Sequence, residues 1–442
     1  MSASANPQTL LQSWNVPDVQ KRLKFVLYAL LIYVFCAHVP APGIDMAAVR
    51  AWFSQGAGSG GLFDLIDLFA GGALKRFSIL ALGIMPYINA SIMFQLLIAV
   101  DPKLKEIQQE GDEGRKKISK WTRYLAVGLS FLQGGGLLIS MNSGQGMSAW
   151  QTLTHLDSLV AIFSVAAGTC FLMWLGDEIS QKGVGNGVSL IITIGIVARI
   201  PASIWQELSL STMQNTRIVA LLLLALFAVI VTAAIVFIQL SVRRIPVQYA
   251  RRQIGRKIYG GQSTYLPIKL TQAGVIPIIF AISVLMVPQT ILSFLPDQGG
   301  LISTLKAGMA NFQQSYWYII VEFGLVFLFT FVYTAVTFNT QDIADNLKKN
   351  NGFIPGVRPG RQTFEFLDRV LHRITFFGAT FLGLVAVLPI IINQIVAAMT
   401  NVTINSFWIG GTSLLIVVGV ALDTVQQMQA HMVMRHYSGF NK

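Results

Sequence analysis

Ten apolar runs, at about 23–39, 77–100, 121–141, 156–176, 188–206, 217–241, 271–295, 316–338, 374–397 and 405–425, constrain this chain more than any other feature. A helix rises about 1.5 Å per residue, so about 20 residues cross the hydrocarbon of a bilayer. Lipid offers no partner to a bare backbone, and each run must therefore close its own hydrogen bonds as a helix. A membrane barrel would alternate apolar and polar residues, which these runs do not. With 53% hydrophobic and 12% charged residues in 442, the chain has more apolar surface than a water-soluble fold can hide. The prediction is an all-α polytopic membrane protein with ten transmembrane helices.

Basic residues collect in alternate connections. Lys21, Arg22 and Lys24 precede the first run, and Lys103, Lys105, Arg115, Lys116, Lys117 and Lys120 follow the second. The connections after runs six and eight are also basic, whereas the other side holds only Arg50, Lys75, Arg76, Arg199, Arg217 and Lys306. Both termini and the net charge of +12 are thus expected on the cytoplasmic side. The N-terminal segment lacks the marks of a cleaved signal peptide, so the first run is expected to persist. Cys36 and Cys170 lie within apolar runs, and no disulfide is expected.

Two short patterns recur in the same order. Gly83, Pro86, Ile88 and Ala90 match Gly274, Pro277, Ile279 and Ala281; Gly187, Ser189, Leu190, Ile192 and Gly195 match Gly411, Ser413, Leu414, Ile416 and Gly419. Pairing run two with seven and five with ten leaves five spans per half, and an odd number reverses the second copy. Residues 1–206 and 207–442 are therefore expected to form inverted halves, with a pathway between them near the midplane. Ile88, Ile192, Ile279 and Ile416 are its natural lining, with Ile84 and Ile196 one turn away. The plainer reading is that these isoleucines only pack helices together.

Three further stretches invite a role. Leu62, Phe63, Leu65, Ile66, Leu68 and Phe69 run with Asp64 and Asp67 as an amphipathic piece before Ala70, Gly71 and Gly72, a helix placing both aspartates on one face and Leu62, Leu65, Ile66 and Phe69 on another. It is either a helix on the membrane surface or a stopper folded back between the spans. Asn89, Gln95, Gln133, Thr271 and Gln272 interrupt the spans and are expected to hydrogen-bond between helices, for about 0.6–2 kcal/mol each, with or without gating. Residues 242–270 carry Arg243, Arg244, Arg251, Arg252, Arg256 and Lys257 among Tyr249, Tyr259 and Tyr265, and Tyr259-Gly260-Gly261 signals a hairpin. In 339–373, Gly356, Pro359 and Gly360 fix a turn that presents Arg358, with Arg361 close behind. Such loops are either a solvated positive face or a docking site for a large partner.

The chemistry of other classes is missing. Glu322, Asp423, Asp177 and Glu178 sit near run ends, so no mid-membrane carboxylate of a coupled transporter is evident. No Ser-His or paired-Asp set, close-spaced His/Cys metal pattern or GxxxxGK[ST] loop occurs, and neither cofactor, metal nor catalysis is expected. An uncharged isoleucine constriction excludes water and ions yet offers nothing that would trap a varied cargo. A polypeptide channel is therefore favoured over a secondary transporter of a small solute or a scaffold without a pathway.

From Lys21 to Tyr437 the chain resembles the SecY family, the channel subunit of the bacterial Sec translocon. The likeness is carried by GGALKRFSILALGIMPYINASI, QEGDEGRKKISKWTRY, KGVGNGVSLIITIGIVARIP, RRIPVQYARRQIGRKIYGGQSTYLPIKL, AGVIPIIFA, ADNLKKNNGFIPGVRPGR and GGTSLLIVVGVALDTVQQ. The resemblance implies a central hourglass pore in the inner membrane, with Ile84, Ile88, Ile192, Ile279 and Ile416 as its ring and Ile196 a candidate sixth. It implies that residues 62–74 are a plug with Phe69 facing the pore. Spans two and three against seven and eight would be a lateral gate for signal sequences and for release into the bilayer. Arg256, Lys257 and Arg358 match tips that engage the SecA motor or the ribosome; Lys257 stands where paired arginines are usual, which keeps charge but loses the planar fork. SecE and SecG are the implied small membrane partners.

Overall fold

The structure, a computed structural model, describes residues 17–46, 62–142, 155–211, 215–249, 263–294, 315–400 and 411–438, with short pieces at 49, 53, 252–254, 257–259, 304–305, 308–309 and 312. The polar start at 1–16, the SQGAGSGG stretch, Arg50, Arg251, Arg256 and Lys306 lie outside the described residues. Each apolar run supplies one helix: α1 (Pro17–Cys36), α3 (Met85–Val100), α5 (Asp112–Asn142), α6 (His155–Lys182), α7 (Gly187–Ser211), α8 (Asn215–Leu240), α9 (Ile276–Phe294), α10 (Tyr316–Thr337), α12 (Arg361–Thr400) and α13 (Gly411–Ser438). The short helices α2 (Leu62–Phe69), α4 (Pro102–Gln109) and α11 (Thr340–Lys349) lie between them. Among the described residues, Leu156–Lys182, Gly187–Trp205, Ile218–Leu240, Tyr316–Lys349, Arg361–Val396 and Thr412–Ala430 are long and apolar enough to cross a membrane, and Met85–Val100 and Ile276–Pro288 are shorter apolar helices.

The second and seventh runs begin as turns rather than as helix. Residues 70–84 fold as successive turns, and α3 starts only at Met85. Gly83 has φ +56° and Gly274 φ +60°, the left-handed region that favours glycine. In each copy the helix starts two residues after this glycine, with proline second, where its missing N–H costs nothing. The repeated letters therefore encode a repeated piece of backbone. The turns at 70–84 lie deep in protein: Ala70, Ala73, Leu74, Phe77, Ser78 and Leu80 are buried. Their amides are satisfied by neighbours such as Asp67 O, which accepts from Gly72 N at 2.9 Å, and Ala73 O, which accepts from Ser78 N at 2.9 Å.

A small sheet stands at one end of the bundle. Strands β1 (Val242–Tyr249), β4 (Ser263–Lys269) and β5 (Gly352–Phe353) form an antiparallel sheet of order β4-β1-β5. Within the β1–β4 connection, β2 (Arg252–Ile254) and β3 (Lys257–Tyr259) pair as an inner hairpin. The hairpin expected from the sequence is present, but its strands close at Ile254↔Lys257 rather than at Tyr259-Gly260-Gly261. Ile245, Val247 and Ile268 from the sheet pack with Ile354 and with Leu367, Val370, Leu371 and Ile374 of α12. This satellite core is separate from the main one, to which α1, α2, α3, α6, α7, α8, α9, α10, α12 and α13 all contribute. Outside, Leu222, Leu226, Val229 and Phe237 of α8 are exposed, an apolar face suited to lipid.

Candidate functional site

Six isoleucines from four helices belong to the main core. Ile84 sits at the N-cap of α3 and Ile88 one turn later; Ile192 and Ile196 stand one turn apart on α7; Ile279 and Ile416 occupy α9 and α13. None is more than 6% exposed, and all share one apolar cluster with Leu68 and Phe69. They are not turned outward. A constriction of such groups excludes water without offering any passing segment a hydrogen bond.

Burial of residues 67–70 speaks against the reading of the 62–69 helix as lying on the membrane surface. Leu68, Phe69 and Ala70 lie inside the same cluster as the isoleucines, and Phe63 and Ile66 pack on a neighbouring one with Leu74 and Phe77. An aspartate goes in with them. Asp67 is fully enclosed; its Oδ1 accepts from Lys75 N at 3.0 Å, and its Oδ2 lies 3.1 Å from Arg199 Nη1 on α7. The Tyr33 hydroxyl of α1 donates to Ala70 O at 3.3 Å. A Cβ on Gly71 would stand 2.9 Å from both Gly195 Cα and Tyr33 Oη, so only glycine admits this approach. The side chains of Leu62, Asp64 and Leu65 lie outside the described residues.

At the seam, α3 and α5 both pack against α9. Two of the polar residues expected to bond across it, Gln95 and Gln272, bond locally instead. Gln95 Nε2 donates to Ser91 Oγ on its own helix at 3.1 Å, and Gln272 Oε1 accepts from Lys269 N at 3.2 Å. For Gln95 the partner lies one turn away on its own helix, where i and i+4 side chains are neighbours. Thr271 is buried, Gln133 half-buried, and Asn89 Oδ1 is enclosed with no hydrogen-bond partner among the described residues. Glu322 of α10, expected near a span end, is likewise buried with its Oε2 lacking such a partner.

The two basic loops form one platform. Gln248↔Phe353 and Tyr249↔Gly352 join β5 to β1, so residues 339–373 complete the sheet begun by 242–270. Arg243, Arg244, Arg358 and Arg361 are exposed on it, and Arg361 Nε lies 3.0 Å from Glu365 Oε1. Thr363 Oγ1 donates to Arg358 O at 2.9 Å, fixing the turn that carries Arg358. Arg252 and Lys257 lie on the inner hairpin as strand neighbours of Tyr259 and Ile254. Sequence reasoning missed β5, Tyr33 and the part played by Arg199. For Arg199 the sequence held one signal, its place on the face of α7 that carries Ile192 and Ile196, but none for its partner.

Comparison with known proteins places the chain in a family and a fold. A model of the SecY family matches residues 78–425. "Protein translocase subunit SecY" of Streptomyces scabiei is 41% identical over 436 residues, which cover 97% of this chain and 98% of that protein. The chain belongs to the SecY family. A solved structure described as "The structure of a protein conducting channel" has the same fold, with TM-score 0.64 at 19% identity over 94% of this SecY-family chain and 93% of its own. Another, on the plug domain of the SecY protein and its part in the closed state and the membrane seal, aligns with TM-score 0.63 at 18% identity over 94% and 93%. The fold is thus that of a multi-pass helical membrane channel.

Proposed function

We propose that this chain is the protein-conducting channel of a bacterial plasma-membrane translocase, with Ile84, Ile88, Ile192, Ile196, Ile279 and Ile416 as its seal and residues 62–74 as its plug. The reading rests on one observation above others: six isoleucines from four helices, two of which begin with the same Gly-x-x-Pro turn, are buried with Phe69 in one uncharged cluster. Residues 1–206 and 207–442 are inverted halves, and both termini face the cytoplasm with the basic platform. A signal sequence enters the seam of α3 and α5 against α9 and α10, where Asn89, Gln95, Gln133, Thr271 and Gln272 lie, and exchanges its apolar face with lipid. A chain that stays polar passes through; one that is apolar partitions sideways, at about −0.3 to −0.6 kcal/mol for each Leu, Ile, Phe or Val at the centre of a helix. The chain binds the small subunits SecE and SecG and performs no catalysis itself. Energy comes from SecA or the ribosome docked on Arg243, Arg244, Arg251, Arg252, Arg256, Lys257, Arg358 and Arg361.

The test is reconstitution of the chain with its small subunits and motor in vesicles. An unfolded presequence-bearing substrate becomes protease-protected in a motor- and ATP-dependent way. Uptake of a small solute driven by an ion gradient, with no protection of the substrate, would overturn the reading in favour of a transporter.

A further inference from the structure

We propose that Arg199 is a positioning residue for the plug, and that its ion pair with Asp67 yields to water entering the pathway rather than to the parting of the seam. The inference rests on reading 62–74 as a plug. Arg199 shares the face of α7 that carries Ile192, Gly195 and Ile196, so one helix face supplies ring, backbone seat and charge in succession. The guanidinium meets a fully enclosed carboxylate at 3.1 Å, and the stem runs past Gly72, where a Cβ would lie 3.8 Å from Cγ.

The polar holds described above on the 67–72 segment come from α1, α7 and the turn that follows it: Tyr33, Arg199 and Lys75 N. Toward the other half, α2 meets α9, and Leu68 and Phe69 share an apolar cluster with Ile279 and Ile282. Parting α3 and α5 from α9 therefore separates greasy surfaces and leaves the ion pair whole. What weakens the pair is dielectric, since the same two charges attract far less once water surrounds them. A dry closed channel thus strengthens its own latch, and a flooded one releases it.

The repeat supplies a second, independent observation. The spacing that carries Gly187 onto Gly411 carries Arg199 onto Asp423, and Asp423 Oδ1 lies 3.9 Å from Lys269 Nζ, just ahead of the turn into α9. In both copies this position ties α7 or α13 to the segment leading into the proline-started helix of its own half. The charges are reversed and the second pair is exposed, but neither pair crosses between the halves.

The experiment compares reconstituted complexes carrying Arg199→Gln, Asp67→Asn, both together, and a deletion of 62–74. Resting ion conductance is read alongside the distance between spin labels on α3 and α9. Asp67→Asn keeps the side-chain shape and the oxygen that accepts from Lys75 N, so it reports on charge even if Arg199→Gln, which strands a buried carboxylate, fails to fold. Each single variant is expected to raise conductance several-fold toward that of the deletion, the double variant no further than the singles, with the label distance unchanged. A leaking deletion beside tight Asp67→Asn channels, or a leak accompanied by a widened seam, overturns the latch and leaves the plug standing. A deletion that does not leak overturns the plug reading itself.

Discussion

Isoleucine at a constriction does two things that smaller or polar residues cannot do together: it fills the gap between helices and denies water a partner. Replacing Ile88, Ile192 and Ile279 together by serine removes the bulk and supplies hydroxyls. Resting conductance of reconstituted channels is expected to rise by an order of magnitude or more, because a dewetted barrier is lost; unchanged conductance would count against the ring. Each large-to-small change at a buried site also costs about 2–5 kcal/mol if the cavity does not collapse, so thermal unfolding must show the triple variant still folded. These isoleucines were legible because a repeat singled them out from many others. Tyr33 was not, since the carbonyl it bonds, Ala70 O, arrives only through the fold. Arg199 shares its face of α7 with two ring residues, yet its partner Asp67 is remote in sequence, and no local pattern joins them.

At the scale of elements, the platform shows where pattern reading ends. Charge and turn residues marked both loops as more than connectors, but β5 spans only Gly352–Phe353, too short to show any period, and its pairing with β1 is what makes the loops one surface. The helix starts were misjudged for a related reason: 77–84 is as apolar as the helix it precedes, and only the φ values of Phe77 and Gly83 reveal turns. Because Arg358 is exposed on a turn braced by Thr363, reversing its charge should leave folding intact, which makes it a clean test of the proposed docking role. Arg358→Glu is expected to slow motor-driven export at least tenfold while the bundle inserts normally. Since exposed charges are screened over about 10 Å at 0.1 M salt, raising ionic strength should weaken motor binding to the wild type more than to the variant. Normal motor coupling in Arg358→Glu would remove this residue from the docking surface. Deleting 62–74 is likewise an element-scale change: the helices retain their mutual packing, so a folded, leaky channel is expected, and loss of expression would make the segment structural.

The whole molecule sets two apolar surfaces against each other, one around its outside and one at its centre, and only their positions distinguish them. Leu222 and Phe237 on α8 are exposed, at 66% and 73%, while Ile88 and Ile279 are at most 6% exposed, although all four residues are chemically alike. A bundle that merely packed would keep the inner set away from any substrate; a channel that parts along its seam must bring them against the moving chain. Photo-crosslinkable side chains placed singly at Ile88, Ile279, Leu222 and Phe237 separate these cases when an export substrate is arrested midway by a folded C-terminal domain. The two inner positions are expected to capture the substrate in an ATP- and motor-dependent manner, and the two outer ones only lipid. Release of the arrest should abolish the inner adducts, because a surface without hydrogen-bonding groups holds no chain for long. Equal capture at inner and outer positions would mean that the substrate travels along the lipid face, and silence at Ile88 and Ile279 with export intact would place the pathway somewhere other than between the halves.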